Sequence, residues 1–231
     1  RMTELDKEQV KAWALARSIF GANQTICDCK DIANCFSPQF PFNDSIHLSS
    51  NGGLQFSYSS LDKLVGQGFA FPKVQSFFIS PVLCFKSMVA LLKIKGLYSQ
   101  IHPSFNQVRA IFRASVEATL AFANHYSPAR EILEGEKGRI SFMIDGLGEI
   151  LNVGKNQNGL WAVIESSADE KASVILSFQN LEYALLSALG KTNHLTDPVI
   201  GKFALHGRIT LIEKFGFVSR LALNDLPTPK R

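Results

Sequence analysis

The feature of this chain that most constrains its fold is a change of hydrophobic periodicity after Gly138. Before this glycine, apolar residues recur at the three- and four-residue spacing of helices, most clearly over 103–126. After it they alternate one by one, as they do in half-buried strands. Four runs in this second part carry predicted strands: 140–144, 147–153, 160–164 and 172–178. The turns between them are short, which favours an antiparallel meander.

Helical patterns surround these strands on both sides. The predicted elements are helices over 3–20, 82–94, 103–126 and 181–189, a last strand over 205–211 and an apolar final segment over 215–223. This order is typical of an α+β domain in which helices cover one face of a mostly antiparallel sheet. We therefore expect a mainly helical N-terminal region over 1–102, followed by the α+β domain over 103–231.

The composition provides for a buried core and argues against nucleic acid as a partner. Of the 231 residues, 46% are hydrophobic and 19% are charged, and the formal net charge is +4. Because no dense run of lysine and arginine occurs apart from the last two residues, we expect a solvated positive surface. The mild positive balance is also compatible with docking on anionic lipid.

The cysteines do not have the spacing of a metal site. Structural zinc sites use two cysteines separated by two to four residues and a second pair at a distance, which Cys27, Cys29, Cys35 and His47 do not provide. We expect reduced, partly buried thiols, no metal and no cofactor. The segment 3–17 is charged and periodic rather than signal-like, so we expect a cytoplasmic location.

No pattern in the chain is typical of catalysis. None of the five histidines stands in a metal-binding pair or beside a nucleophile elbow, and no glycine-rich loop has the spacing of a nucleotide site. Glu131, Glu134 and Glu136 have the pattern of an ordinary acidic surface turn. His206 has two interpretations, a histidine at a sheet edge or a contact to a ligand headgroup. We therefore predict that the protein is not an enzyme.

The helical pattern over 82–94 has two interpretations. Lys86 and Lys93 share one face, and apolar residues line another: Val82, Phe85, Met88, Val89 and Leu92. Either the apolar face belongs to the core, or the helix lies at a membrane surface with its lysines at the level of the headgroups. In the second case the docking residues are Phe77, Phe78, Phe85, Lys86 and Lys93. Pro81 and the lysines interrupt the apolar stretch, so we expect no transmembrane span.

Three segments carry a resemblance to a known family. They are ASVILSF at 172–178, NLEYALLSALGK at 180–191 and DPVIGKFALHGRITL at 197–211. They resemble a strand, the helix that follows it, and a Gly-Lys turn that leads into a glycine-bearing strand in the SCP2-like (sterol carrier protein 2) lipid-binding domain. Arg208 stands where that family commonly has Asp or Asn.

The resemblance implies a sheet with helices on one face and a hydrophobic tunnel between them. Such a tunnel would hold a fatty acyl, sterol or isoprenoid group, which an apolar concave site binds with few polar contacts. The expected lipid-binding residues are Phe112, Val116, Leu176, Phe178, Leu185, Leu189, Phe203, Leu205, Ile209, Phe215, Phe217, Val218 and Leu221, the last helical segment serving as a lid.

The function that we predict is non-enzymatic carriage of a lipophilic small molecule, with transient contact to an anionic membrane surface. The alternative is an accessory or scaffold protein that presents a lipophilic intermediate, such as a quinone precursor, to partner enzymes.

Overall fold

A computed structural model describes residues 6–26, 46–47, 54–56, 73–74, 81–100, 102–165, 171–192 and 201–227. The helices in these ranges are α1 (Lys7–Ile26), α2 (Pro81–Leu97), α3 (Phe105–His125), α4 (Ser127–Ile132), α5 (Leu181–Ala188) and α6 (Ile209–Asp225). The strands are β1 (Ile46–His47), β2 (Leu54–Phe56), β3 (Lys73–Val74), β4 (Ile140–Ile144), β5 (Gly148–Lys155), β6 (Trp161–Ile164), β7 (Val174–Phe178) and β8 (Phe203–Gly207).

The four predicted strands after Gly138 are present as β4 to β7, and they form one sheet with β8 in the order β6-β5-β4-β7-β8. The first three strands are an antiparallel meander, as the short turns predict. The fourth does not continue it. β7 crosses back and pairs with β4 in parallel, from Ile140 opposite Val174 to Ile144 opposite Phe178. The α+β class with a helical N-terminal region is confirmed, and the sheet is mixed.

The last predicted strand is placed too far along the chain. β8 ends at Gly207, and Leu211 lies fully buried in α6 rather than in the sheet. Gly207 has φ 103°, a backbone conformation that side-chain-bearing residues rarely adopt, and its Cα approaches the backbone of Ser173 on the neighbouring chain segment. A side chain at this position would clash with that backbone, so glycine is required where the chain leaves β8 and enters α6.

The two long helices begin at capping boxes. At α3, the side chain of Ser104 accepts from the Gln107 backbone N–H and the Gln107 side chain accepts from the Ser104 backbone N–H. At α1, Asp6 and Gln9 form the same reciprocal pair. Each box satisfies backbone donors that a helix N-terminus leaves free.

Helix α1 runs past its predicted stop at Gly21. This glycine faces α3, where a Cβ atom would lie 2.7 Å from Cγ of Glu117. Glu117 is 2% exposed and accepts from Arg17 of α1 and from Arg113 one turn earlier on α3. A glycine in a helix interior is normally unfavourable, and here the close packing of two helices outweighs that local preference.

The core joins α1 to the C-terminal elements. Val10 and Ala14 of α1 belong to the same buried cluster as Ile111 of α3 and Phe142 of β4. The division of the chain at residue 102 stays a prediction. β1, β2 and β3 form a separate three-stranded antiparallel sheet.

Candidate functional site

The face of the five-stranded sheet that contacts α3 is apolar, and we call it the inner face. Phe142 of β4 and Phe178 of β7 lie on this face, with ring centroids 5.0 and 5.6 Å from the ring centroid of Phe112 on α3. Strand alternation and register place nine residues of β4, β7 and β8 on this side. They are Ile140, Phe142, Ile144, Val174, Leu176, Phe178, Phe203, Leu205 and Gly207. None of the nine carries an ionisable group.

Six aromatic rings form a continuous layer between the inner face and the helices. From α6 to β8 they are Phe215, Phe142, Phe112, Phe178, Tyr183 and Phe203, with successive ring centroids 5.0 to 6.3 Å apart. Phe178 is 1% exposed, whereas Phe203 at the far end is only half-buried. We call these rings the aromatic layer. It leads from the centre of the core to the surface at the edge strand β8.

The half-buried end of the aromatic layer is formed by β8 and α5. Tyr183 stacks on Phe203 with an angle of 18° between the rings, and the amino group of Lys202 lies 5.4 Å from the Tyr183 ring centroid. Asn180 caps α5 by accepting from the backbone N–H of Tyr183 at 2.8 Å, which fixes the start of the helix above the strand. An apolar surface with one cation at its margin is suited to an amphiphile.

The structure divides the predicted lipid-binding residues into three groups. The fully buried ones are Phe112, Val116, Leu176, Phe178, Leu185, Phe215 and Val218. The half-buried ones are Leu189, Phe203, Leu205 and Leu221. Ile209 and Phe217 are 48% and 47% exposed, because they lie on the opposite side of α6 from Phe215. The structure therefore does not bring these two into the aromatic layer.

Two members of the aromatic layer are missing from the predicted set. Phe142 and Tyr183 are the second and the fifth of its six rings. The alternation of β4 carries the signal for Phe142, since it shares a strand face with Ile140 and Ile144. Tyr183 follows the helix cap Asn180 in the segment that carries the family resemblance.

In the acidic turn before β4, Glu131 and Glu134 are exposed as predicted, but the prediction is wrong for Glu136. Its carboxylate is buried, with Arg208 Nη2 and Lys214 Nζ each 2.6 Å from one of its oxygens. The hydrogen bond from Lys214 is the main cause of a lowered pKa, helped by the charge of Arg208 and opposed by burial. Arg208, which stands where the resembled family commonly has Asp or Asn, thus ties β8 to this turn.

Helix α2 buries the side opposite to the apolar face that the core interpretation places in the core. Its buried side carries Ser87, Ala90, Ile94 and Leu97. Its opposite side exposes four apolar residues, which we call the α2 stripe: Val82 (65%), Phe85 (69%), Met88 (48%) and Leu92 (68%). Lys86 and Lys93 are exposed as well. Phe77 and Phe78 lie outside the described residues.

Other chemistry is sparse in the part of the chain that the structure describes. No group of three or more His, Cys, Asp or Glu side chains there is arranged to hold a metal ion. Cys27, Cys29 and Cys35 lie outside the described residues, so the expected lack of a metal stays a prediction. His206 is exposed on the edge strand β8, as the sheet-edge interpretation requires. No described helix combines the length and the apolar character needed to cross a membrane.

Comparison with solved structures finds sterol carrier protein 2 domains. The domain from Helicoverpa armigera is 20% identical, with a TM-score of 0.35, and the match covers 49% of this chain and 88% of that domain. The apo protein from Yarrowia lipolytica is 12% identical, with a TM-score of 0.31, and covers 53% of this chain and 91% of that one. Both are domains of the family that part of the chain is predicted to resemble. No protein-family model matches the sequence, and no curated protein shows significant similarity to it.

Proposed function

We propose that the protein binds a lipophilic small molecule of fatty acyl, sterol or isoprenoid type at the half-buried end of the aromatic layer, without chemical turnover. One observation carries the proposal: the aromatic layer runs from the fully buried Phe178 to the half-buried Phe203 with no ionisable group on the inner face of β4, β7 and β8.

Hydrophobic burial is sufficient to hold such a ligand. Each methylene moved out of water contributes about 0.8 kcal/mol, so about ten methylenes supply about 8 kcal/mol before the entropy of association is subtracted. The packed rings of Phe112, Phe142 and Phe178 form the floor of the site. The ligand lies against Phe203 and Leu205 at the edge of the sheet, and Lys202 is the cation nearest to its headgroup.

The test of binding is mass spectrometry followed by titration. The purified protein is examined by native mass spectrometry and again after solvent extraction, and a fluorescent fatty acid is then titrated into the extracted protein. Phe203→Ala should weaken binding of the probe at least tenfold. Phe217→Ala is the matched control, because it removes the same ring from the exposed side of α6 and should leave the affinity unchanged. Equal affinities for all three proteins would refute the proposed position.

Transfer between liposomes distinguishes a carrier from the alternative, a scaffold that presents a lipophilic intermediate to partner enzymes. A carrier moves a fluorescent lipid from donor to acceptor vesicles unaided. A scaffold binds the lipid but does not accelerate its transfer, and pull-down of partner proteins would then be the next experiment. We expect transfer, since the half-buried end of the aromatic layer opens at a sheet edge.

We further propose that the α2 stripe docks on an anionic membrane. The stripe presents a continuous apolar face, and Lys86 and Lys93 add positive charge on the same helix. Near a surface of acidic lipid, each lysine contributes about 1 kcal/mol, while the apolar side chains enter the interfacial region. The occupant of this face is therefore a lipid surface, which matches both its apolar character and its charge.

Sedimentation with vesicles that contain phosphatidylglycerol tests docking. Lys86→Glu/Lys93→Glu should abolish cosedimentation at low salt, and Phe85→Ser should weaken it. Lys171→Glu/Lys191→Glu changes the net charge by the same amount at exposed positions away from α2, and should retain most of the binding. Unchanged sedimentation of the first variant, or an equal loss in both double variants, would exclude docking through α2.

A further inference from the structure

One ring connects the half-buried end of the aromatic layer to its buried part. Tyr183 of α5 stacks on Phe203 with the two ring centroids 6.2 Å apart, and its other neighbour in the layer is Phe178, at 6.3 Å. Phe203 is half-buried, whereas Tyr183 is 5% and Phe178 is 1% exposed. The boundary between the accessible and the enclosed part of the layer therefore lies at Tyr183.

Two hydrogen bonds hold Tyr183 at this boundary. Asn180 Oδ1 accepts from the backbone N–H of Tyr183 at 2.8 Å, and the backbone N–H of Gln179 donates to the carbonyl oxygen of Lys202 at 2.9 Å. The first bond fixes the start of α5, and the second ties the segment before α5 to the residue before Phe203. Because consecutive residues form the two bonds, the helix and the edge strand keep the stacked rings of Tyr183 and Phe203 in place.

The sheet below the ring shows what a longer ligand would have to reach. β7 and β8 pair so that Phe178 lies directly opposite Phe203. Phe178 is thus the neighbour of Phe203 toward the centre of the sheet, and contact with it would prolong the apolar path of a bound chain. The ring of Tyr183 already packs on both residues, so this ring and a longer chain would occupy the same position.

We propose, on the premise of the lipid binding proposed above, that Tyr183 determines the longest chain that the site accepts. A chain whose headgroup lies near Lys202 runs along Phe203 and ends at the ring of Tyr183. Each methylene removed from water raises the affinity about fourfold, and a methylene that stays in water adds almost nothing. The affinity should therefore rise with chain length and level off at a length that Tyr183 sets.

Removal of the ring should lengthen the site. Tyr183→Ala leaves a space that Phe178 and Phe203 border, since both pack on the ring in the wild type. An apolar cavity of this kind stays dry and accepts apolar ligands. The ring and hydroxyl that the change removes have the bulk of several methylenes, so chains longer than the wild-type limit gain burial in the variant.

The experiment titrates the full chain, after solvent extraction, with saturated fatty acids from octanoic to stearic acid, by displacement of a fluorescent fatty acid. The wild-type affinity should level off within this series. Tyr183→Ala should bind the acid that is two methylenes beyond the wild-type limit at least tenfold more tightly than the wild type does. Tyr183→Phe keeps the ring and should retain the wild-type limit. Tyr126→Ala is the matched control, because Tyr126 packs on Phe122 outside the aromatic layer, and it should retain the limit as well.

The outcomes separate chain-length selection from lipid binding itself. If the wild type binds none of the acids, both proposals fail. If the wild type binds them without levelling off, or if Tyr183→Ala levels off at the same length, only the role of Tyr183 is overturned and lipid binding stands. An equal shift in Tyr126→Ala would also overturn that role, since it would show a general loosening of the core. If Tyr183→Ala does not fold, Tyr183→Leu replaces it: a longer limit supports the role of Tyr183 and an unchanged limit overturns it.

Discussion

The buried carboxylate between α1 and α3 provides the most direct test of how the N-terminal helix is held. Glu117 accepts from Arg17 Nη2 at 2.6 Å and Nε at 3.1 Å, and from Arg113 Nε at 3.1 Å. The change that we consider is Glu117→Ala. It removes all three hydrogen bonds and leaves two guanidinium groups facing the space of the lost side chain.

The magnitude follows from the burial of the partners. A hydrogen bond to a charged group contributes about 1.5–3 kcal/mol, and breaking a fully buried ion pair costs about 3–5 kcal/mol. The side chains of Arg17 and Arg113 are 29% and 24% exposed, so both recover part of their hydration in the variant. We therefore expect a loss of about 3 kcal/mol in the free energy of unfolding, which for a chain of this size lowers Tm by about 6–12 °C.

Urea and thermal denaturation followed by circular dichroism measure this loss. Glu8→Ala is the matched control, because Glu8 forms an ion pair with Lys11 at 2.6 Å on α1 while its side chain is 65% exposed. An exposed pair contributes less than about 1 kcal/mol, and both changes gain the same helix preference of alanine. If Glu117→Ala destabilises the protein no more than Glu8→Ala does, the carboxylate does not fasten α1 to α3 and the reasoning is wrong.

Three further predictions concern pH, domain structure and the two sides of α6. Because the pKa of Glu136 is lowered, its ion pairs stabilise the fold above about pH 4.5, and this stability is lost as the pH falls through the lowered pKa. In urea titrations, Lys214→Met should therefore reduce the free energy of unfolding more at pH 7 than at pH 3. An equal reduction at both pH values would contradict this. A fragment over 103–231 should melt more than about 10 °C below the full chain, because it loses the packing of α1 on α3, and an unchanged Tm would support a division at residue 102. Phe217→Asp should change the free energy of unfolding by less than about 1 kcal/mol, whereas Phe178→Ala should lower it by about 3–5 kcal/mol in the same denaturation assay. If Phe217→Asp unfolds the protein, the half-exposed ring of Phe217 is essential to the fold.

Local patterns in the sequence were enough to predict most elements of the fold. The alternation after Gly138 predicts β4, and the helical spacing over 103–126 predicts α3, because both signals depend on residues that are close in the chain. The pairing of β7 with β4 was not predictable in this way. Short turns favour pairing of successive strands, and only the burial of β7 between β4 and β8 makes the crossover favourable.

The same distinction applies to the candidate sites. The apolar residues of the last strands predict an apolar layer, yet they do not separate Phe215, which packs on Phe142, from Phe217, which faces outward. Helical spacing predicts that α2 has two unlike sides. It does not say which side packs, because an apolar stripe has the same period whether it meets a core or a membrane.

The sequence by itself determined the α+β class, the positions of most helices and strands and the apolar character of the C-terminal half, since these follow from periodicity and turns. The tertiary structure decided which groups are buried and beside what. From the sequence alone Glu136 is interpreted as a surface acid, but in the fold Arg208, just after β8, and Lys214 of α6 form ion pairs with it. Asn152 has the pattern of an ordinary strand residue, and only the fold shows that its amide is buried. Burial depends on segments far apart in the chain, and for that reason no local pattern contains it.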